Sequence, residues 1–313
     1  LIKNAERGIC GVRENSGGIL NTLVYGKLIA RQIDPIEKKP LFHFMPGSLS
    51  YSIATAGCNF KCLFCQNADI SQLPSNYNGL ITGDNFTPEY IVSAAIRGNC
   101  RSISYTYTEP TVFFEFALNT SRLASEKGLK NIFVTNGYMT KEALAMIRPF
   151  LDAANVDLKA YNNEFYRKMC GARLENVKET LIDMKSSGLF LEITTLLIPG
   201  LNDDKKELEE LAGFIAESLG TETPWHISRF HPTYRLLDRP STPLKTLLAA
   251  RKTGLDCGLK YVYMGNVPGE EGESTFCYKC GKMLIERIGF YIKRNKVDQG
   301  LCPHCGAQID GVW

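Results

Sequence analysis

The sequence predicts an α/β protein: a parallel sheet with crossover helices, curled into part of a barrel and followed by a small cysteine-rich tail. Three observations carry this expectation. Strand-like apolar runs alternate with helical patterns from Ser50 to about Gly265, and such alternation calls for a parallel sheet with a helix between successive strands. Seven strand-like runs are found, short of the eight in a closed TIM barrel, so an open, partial TIM-type β/α barrel is expected. From residue 271 the chain changes character and carries two paired cysteine knuckles. Three parts follow: a turn-rich extension at 1–49, the barrel at 50–270 and a four-cysteine ribbon at 271–313.

Residues 1–49 hold Gly17-Gly18, the run Thr22 to Ile29 and prolines at 35, 40 and 46. Nothing there calls for chemistry, and a hairpin extension that covers the open side or meets a partner is expected. The barrel strands are expected at Tyr51 to Ala56, Arg101 to Tyr107, Lys130 to Thr135, Ala154 to Lys159, Phe190 to Leu197, Trp225 to Phe230 and Lys260 to Met264. Thr87-Pro88-Glu89 opens a helix as N-cap, N1 proline and early acid. Other helices are expected at Thr111 to Lys127, stopped by Gly128, at Lys141 to Phe150, at Leu174 to Ser187 and at Asp203 to Ser218.

Composition bounds the function. Apolar residues make up 44% and charged residues 22%, ordinary values for a globular protein. A net charge of +3, with Lys and Arg dispersed, advertises no strongly charged partner but leaves a nucleic-acid surface open. No apolar stretch is long enough to span a membrane, and no secretory signal is visible; a cytoplasmic location is expected. Eleven cysteines suit metal sites better than a disulfide framework in a chain of this pattern. Cys10, Cys100, Cys170 and Cys257 are scattered and read as ordinary thiols. The sequence opens on Leu1 rather than Met, which points to a fragment whose missing leader held partners for Cys10.

Cys58, Cys62 and Cys65 stand in a C-x3-C-x2-C loop directly after the first strand. A cubane iron-sulfur cluster normally takes four thiolates. Three close thiols leave one iron without a protein ligand and free to hold a small molecule. A zinc knuckle fits poorly, because Cys58 to Cys62 has one residue too many and no histidine lies near. The other polar residues gather at strand ends, where such folds place their chemistry: Thr108 and Glu109, Asn136, Asp157 and Lys159, Arg229 and His231, and Asn266. Each also has a plainer reading. Thr108-Glu109 caps a helix, Asn136-Gly137 turns the chain, and Asp157 and Lys159 share a face as an ion pair. His231 meets a ligand or braces its loop, while His226 reads as a satisfied interior histidine. Tyr105 and Tyr107 share a strand face, with core packing the default.

In the tail, Cys277 and Cys280 pair with Cys302 and Cys305 as two C-x2-C-G knuckles. Four soft thiolates suit one zinc or one iron ion, in a zinc-ribbon or rubredoxin-like fold. The ion either folds a tail too small to build its own core or relays electrons.

The segment Gly57 to Asn67, with the aromatic Phe64 before Cys65, resembles the signature of radical S-adenosylmethionine (SAM) enzymes. The resemblance implies a [4Fe-4S] cluster on Cys58, Cys62 and Cys65 as the catalytic centre. SAM on its open iron would be cleaved by one electron to methionine and a 5'-deoxyadenosyl radical that takes hydrogen from a substrate. Cofactor contacts are then expected from Phe64, from Thr108 and Glu109 in place of the superfamily's Gly-Gly-Glu, from Asn136 and from His231. Asp157 and Lys159 match an Asp-x-Lys of enzymes that activate glycyl-radical proteins. Together with Tyr105 to Glu115, Tyr261 to Gly269 and the tail, these segments resemble the radical SAM protein of the AmmeMemoRadiSam system, similar to pyruvate formate-lyase activating enzyme. That family tends to carry further cysteines upstream of the stretch Cys10 to Arg13. The implied function is an oxidoreductase that takes a hydrogen from a glycine of a partner protein, with ferredoxin or flavodoxin as low-potential donor. Radical modification of another protein, a nucleic acid or a small molecule would use the same half-reaction. An electron-transfer or metal-binding scaffold with a closed cluster is the rival from another class, and a nucleic-acid-binding zinc ribbon is a third.

Overall fold

Seven expected strands form, and an eighth joins them. The computed structural model describes residues 2–313. Its main sheet consists of β1 (Ala30–Pro35), β2 (Leu49–Ala54), β3 (Ser102–Tyr105), β4 (Lys130–Thr135), β5 (Ala153–Asp157), β6 (Phe190–Leu197), β7 (Trp225–Arg229) and β8 (Val262–Gly265). Spatial order follows chain order, with β1 and β8 at the two edges. All neighbours from β2 to β8 are parallel, whereas β1 runs antiparallel to β2, Ala30 opposite Ala54. The sequence hides β1 because Arg31, Gln32, Asp34 and Pro35 break any apolar alternation. An edge strand tolerates this, since one of its sides makes no ladder bonds.

Helix ends follow the local chemistry. Thr87 caps α1 (Pro88–Arg97) by accepting from the Tyr90 N–H. α2 (Phe114–Glu126) is entered through a 3₁₀ turn at Pro110–Phe113. α3 (Lys141–Ile147) is capped by Thr140, α4 is Leu174–Ser186, and Asp204 caps α5 (Lys205–Phe214), which runs on as a π-helical turn to Leu219. Other helical elements were not expected. A short turn of helix at Asn163–Phe165 continues as a π-helical turn at Tyr166–Cys170. α6 (Leu244–Asp256) was hidden by Thr246, Thr253 and Gly254, weak helix formers that dilute its pattern. Gly254 is needed there because a Cβ would lie 2.9 Å from the Trp225 ring.

Alternate strand residues divide the sheet into two faces. Ile53, Ile103, Phe133 and Val156 are fully buried in the main apolar core. The opposite set lines a polar interior. The Ser50 and Ser104 hydroxyls pair at 2.5 Å, Thr194 donates to Asn155 at 2.9 Å, and His226 Nε2 lies 2.6 Å from Glu192. His226 is thus the satisfied interior histidine that its strand position predicts. Residues 36–48 bridge from β1 toward β8: the Phe42 and His43 N–H groups donate to Glu192 at 3.0 and 2.7 Å, and His43 Nε2 lies 2.6 Å from the Tyr263 hydroxyl. Burial pushes His43 down to about 4, so it enters these bonds as a neutral ring.

The tail forms a three-stranded antiparallel sheet, β9 (Thr275–Phe276), β10 (Met283–Ile288) and β11 (Tyr291–Asn295). Arg287 joins it to residues 36–48. Its guanidinium donates to Thr275 Oγ1 at 2.7 Å and to the Phe42 carbonyl at 2.8 Å, stacks 4.2 Å from the Phe42 ring, and lies 4.0 Å from Glu37. Among the described residues, no helix is long and apolar enough to cross a membrane.

Candidate active site

Parallel strands deliver their carboxyl ends to one rim, and the loop after β2 carries the three cysteines. Gly57 opens that loop at φ +95, where a Cβ would meet Val12 and the Cys10 carbonyl within 2.9 Å; only glycine fits. The unexpected π-helical turn then supports the loop. Lys61 N–H donates to the Cys170 carbonyl at 2.8 Å and Leu63 N–H to the Met169 carbonyl at 2.9 Å. Asn59 ties the loop to the Tyr138 carbonyl at 3.2 Å, and Gln72 holds the Phe60 carbonyl at 3.1 Å.

The loop borders a cavity of about 400 Å³. Cys58, Cys62, Cys65, Phe64, Thr108, Glu109, Asn136, Asp157 and Lys159 all line it. His231 does not. It is exposed beyond the rim, with Nδ1 3.0 Å from Ser241 Oγ, a loop-bracing position. Tyr105 and Tyr107 do not share a strand face. β3 ends at Tyr105, which packs in the core, and Tyr107 takes a left-handed φ of +63 that turns it into the cavity.

Each polar side chain has a defined anchor. Glu109 is buried and accepts from Thr135 Oγ1 and the Asn136 N–H at 2.8 Å each, and from Thr111 Oγ1 and N–H at 3.0 and 3.2 Å. Burial nevertheless pushes its carboxyl up. Thr108 donates to the Thr55 carbonyl at 2.9 Å, and Asn136 Nδ2 to Asn59 Oδ1 at 2.7 Å. Lys159 Nζ sits 2.6 Å from Asp157; burial lowers its pKa, but the charge and hydrogen bond of Asp157 together with the neighbouring Cys62 and Cys170 outweigh that and raise it. The Cys62 thiol is pushed up first by its hydrogen bond with Cys170 and then by burial; burial also raises Cys58 and Cys65. Metal binding here must therefore displace protons.

Sequence reasoning assigned no chemistry to residues 1–49, yet Lys38 and Lys39 reach the same cavity. Both ammonium groups hold Asp34, at 2.9 and 2.7 Å, and the Tyr107 hydroxyl donates to it as well. No motif marks this cluster, because it joins residues 73 apart. Burial raises the Asp34 pKa, but the Lys39 and Tyr107 donors outweigh it and hold the carboxyl well below the usual range. Its stabilisation is therefore complete above about pH 4, the unfolded value, and is lost as pH falls toward the folded pKa. Denaturant midpoints of wild type and Asp34→Asn should differ near neutral pH and converge under acid; a constant difference would contradict the pairing.

The tail thiols form a separate group. Cys277, Cys280, Cys302 and Cys305 place their sulfurs within 4.8 Å of one another, with Cys277–Cys305 at 3.6 Å and Cys280–Cys302 at 3.8 Å. Sulfurs about 3.8 Å apart are what tetrahedral ligation at about 2.3 Å produces, so the quartet fits one ion. Among the described residues, Cys58, Cys62 and Cys65 do not close to that spacing. Three soft ligands spread around a polar cavity fit a multi-iron cluster instead.

A three-thiol loop at the rim of an open β/α barrel, beside a cavity with an acid and an ion pair, defines an iron-sulfur enzyme site. The model of the Radical SAM superfamily matches residues 52–215, and the chain belongs to that superfamily. Its members are enzymes built on a [4Fe-4S] cluster and SAM. An uncharacterised protein of Methanocaldococcus jannaschii is 50% identical across 100% of this chain and 92% of its own length. The chain is also similar to the pyruvate formate-lyase-activating enzyme of Staphylococcus aureus, 26% identical over 59% of this chain and 76% of that protein. A radical SAM methyltransferase from Sphaerobacter thermophilus shares the fold, with a TM-score of 0.55 and 16% identity over 74% of this chain and 71% of that one.

Proposed function

We propose that the chain cleaves SAM reductively at a [4Fe-4S] cluster held by Cys58, Cys62 and Cys65, and that the products initiate hydrogen abstraction from a substrate. The observation that carries this is that the three thiols face the same cavity as Glu109, Asn136 and the Asp157–Lys159 pair. When bound, cluster and cofactor supply one-electron cleavage of the sulfonium to a 5'-deoxyadenosyl radical. The chain's residues bind and orient. Lys159 offers its ammonium to the cofactor carboxylate, and Asp157 accepts from ribose hydroxyls or the amino group. Of the Glu109 oxygens, Oε1 takes three internal donors and Oε2 one, so Oε2 keeps the freer lone pair for an ammonium.

Similarity to the pyruvate formate-lyase-activating enzyme supports a glycyl-radical type of reaction, with a glycine of a partner protein as hydrogen source and a low-potential ferredoxin or flavodoxin as donor. The stretches Gly57 to Asn67, Tyr105 to Glu115 and Tyr261 to Gly269 with the cysteine-rich tail support membership in the AmmeMemoRadiSam system. In this reading residues 1–49, 50–270 and 271–313 are extension, barrel and ribbon, the ribbon holds zinc or iron, and the protein works in the reducing cytoplasm.

A second reading draws on one observation: the Cys170 carbonyl holds the Lys61 N–H at 2.8 Å, so a fourth cysteine stands against the cluster loop. A closed cluster would make the chain an electron-transfer scaffold without SAM chemistry. Anaerobic reconstitution followed by dithionite and SAM separates the two. We expect 5'-deoxyadenosine from wild type and from Cys170→Ala; its absence in wild type sinks the enzymatic reading.

A further inference from the structure

Alternate residues of the cluster loop face opposite ways. Phe60, Cys62 and Phe64 line the cavity of the candidate active site. Lys61 and Leu63 line a second, smaller concavity of about 250 Å³, and no residue is common to the two linings. The second concavity carries Lys61, Arg167, Lys168 and Arg235 and no acidic side chain. Arg167, Lys168 and Arg235 are exposed. The Lys168–Glu164 pair is exposed on both sides, 72% and 69%, so it neutralises little in water. Arg235 directs its guanidinium to Asn76 Oδ1 at 3.4 Å.

This basic surface is built into the support of the loop. Its wall is the π-helical turn whose Cys170 and Met169 carbonyls hold Lys61 and Leu63, and the Arg235 N–H donates to the Leu63 carbonyl at 3.0 Å. Lys61 and Leu63 flank Cys62 directly in the chain. A group seated here therefore meets the cluster from behind, while the cavity side stays open for cofactor and substrate.

We propose that this concavity is the docking site of the electron donor, a small soluble one-electron carrier with an acidic docking face. The inference rests on the reductive reading above. The reduced donor gives up one electron, and the cluster held by Cys58, Cys62 and Cys65 accepts it; no bond forms and no proton moves. Charge is the first argument for the partner, because a single-sign basic surface attracts and orients an acidic one. Size is the second. At about 250 Å³ the concavity is below the usual range of small-molecule pockets, about 300–1,000 Å³, which suits a seat for a protein surface. Position is the third, and it separates this partner from a nucleic acid. A phosphate backbone gains nothing from proximity to the cysteines, whereas an electron carrier requires it.

The test uses the full chain, reconstituted anaerobically, with an acidic flavodoxin and an acidic ferredoxin as probes. Affinity is measured calorimetrically at rising salt for wild type and for the triple variant Arg167→Glu/Lys168→Glu/Arg235→Glu. Wild type should bind at least one carrier with an affinity that falls with salt. The variant should bind at least about tenfold more weakly, on the scale that electrostatic attraction provides, while 5'-deoxyadenosine formation driven by dithionite stays unchanged. Binding that survives the charge reversals, or wild type that binds neither carrier, overturns the proposal. So does an oligonucleotide that binds wild type more tightly than either carrier and not the variant. Failure of the reductive reading looks different: wild type then gives no 5'-deoxyadenosine with dithionite.

Discussion

Replacement of Cys62 by alanine is expected to remove about four irons per chain and to abolish 5'-deoxyadenosine formation, while the tail metal stays in place. Cys62 is 7% exposed and lies between Phe60 and Phe64 at the edge of the cavity. Its thiol contributes little packing that alanine loses, so the barrel should fold. Losing one of three thiols leaves two irons of the cluster without protein donors. The loop itself is held by backbone bonds to Cys170 and Met169, which the substitution does not touch. Iron and zinc analysis of the purified variant, with its absorption spectrum, reports the cluster separately from turnover. Cys277→Ala should show the reverse pattern, with the tail ion lost and the barrel cluster kept. A Cys62→Ala protein that retains full iron and SAM cleavage would overturn the assignment of the cluster ligands.

Arg287→Ala should cost about 3–5 kcal/mol, the usual consequence of removing one partner of a buried ion pair. The Arg287 side chain is fully buried and that of Glu37 is 1% exposed. Glu37 Oε1 accepts from the Gly47 N–H at 2.8 Å, while Oε2 has no hydrogen-bond partner. Burial already pushes the Glu37 carboxyl up, and the Arg287 charge is the main influence holding it down. Alanine would also remove the donor to the buried Phe42 carbonyl, leaving it without a partner, and would leave Thr275 Oγ1 with only the Tyr263 hydroxyl at 2.8 Å. The measurement is urea denaturation of the metal-loaded chain. Arg287→Met with Glu37→Gln should recover much of the loss, because it removes both charges and keeps volume. A cost under about 1 kcal/mol for the alanine variant would show that the pair is solvated or repacks.

Both experiments probe features that were unequally visible in the sequence. The parallel strands could be read because one face of the sheet carries apolar residues at alternate positions, as Ile53, Ile103, Phe133 and Val156 do, between segments of helical pattern. β1 could not, because its pairing is a backbone property and its side chains include Arg31, Gln32 and Asp34. The rim residues from Cys58 to Lys159 were legible because strand ends collect chemistry in this architecture. Lys38 and Lys39 were not: they enter the cavity from a loop after an antiparallel edge strand, outside that rule. The π-helical turn at Tyr166–Cys170 was equally hidden. Its significance lies in carbonyls that hold Lys61 and Leu63, and backbone groups leave no mark on a sequence. Tyr107 was seen, but its orientation depends on a left-handed φ that no tyrosine pattern announces.

The bridge between residues 41–48 and the tail bears on biosynthesis. His43 Nδ1 lies 2.6 Å from the Asp310 carbonyl, a contact 267 residues apart, and the Met45 and Val312 N–H groups cross to Val312 and His43 at 2.6 and 2.7 Å. These bonds cannot form until residues 310–312 have left the ribosome. Closing so long a loop carries an entropic cost that grows as about (3/2)RT ln n, and contacts of high sequence separation form slowly. Phe42, Tyr261 and Tyr263, which cluster with Cys277, Leu284, Ile285 and Ile309 of the tail, therefore lack those partners on the nascent chain until the tail is made. The interval between barrel synthesis and tail docking is when chaperones and proteases have their best access to this protein.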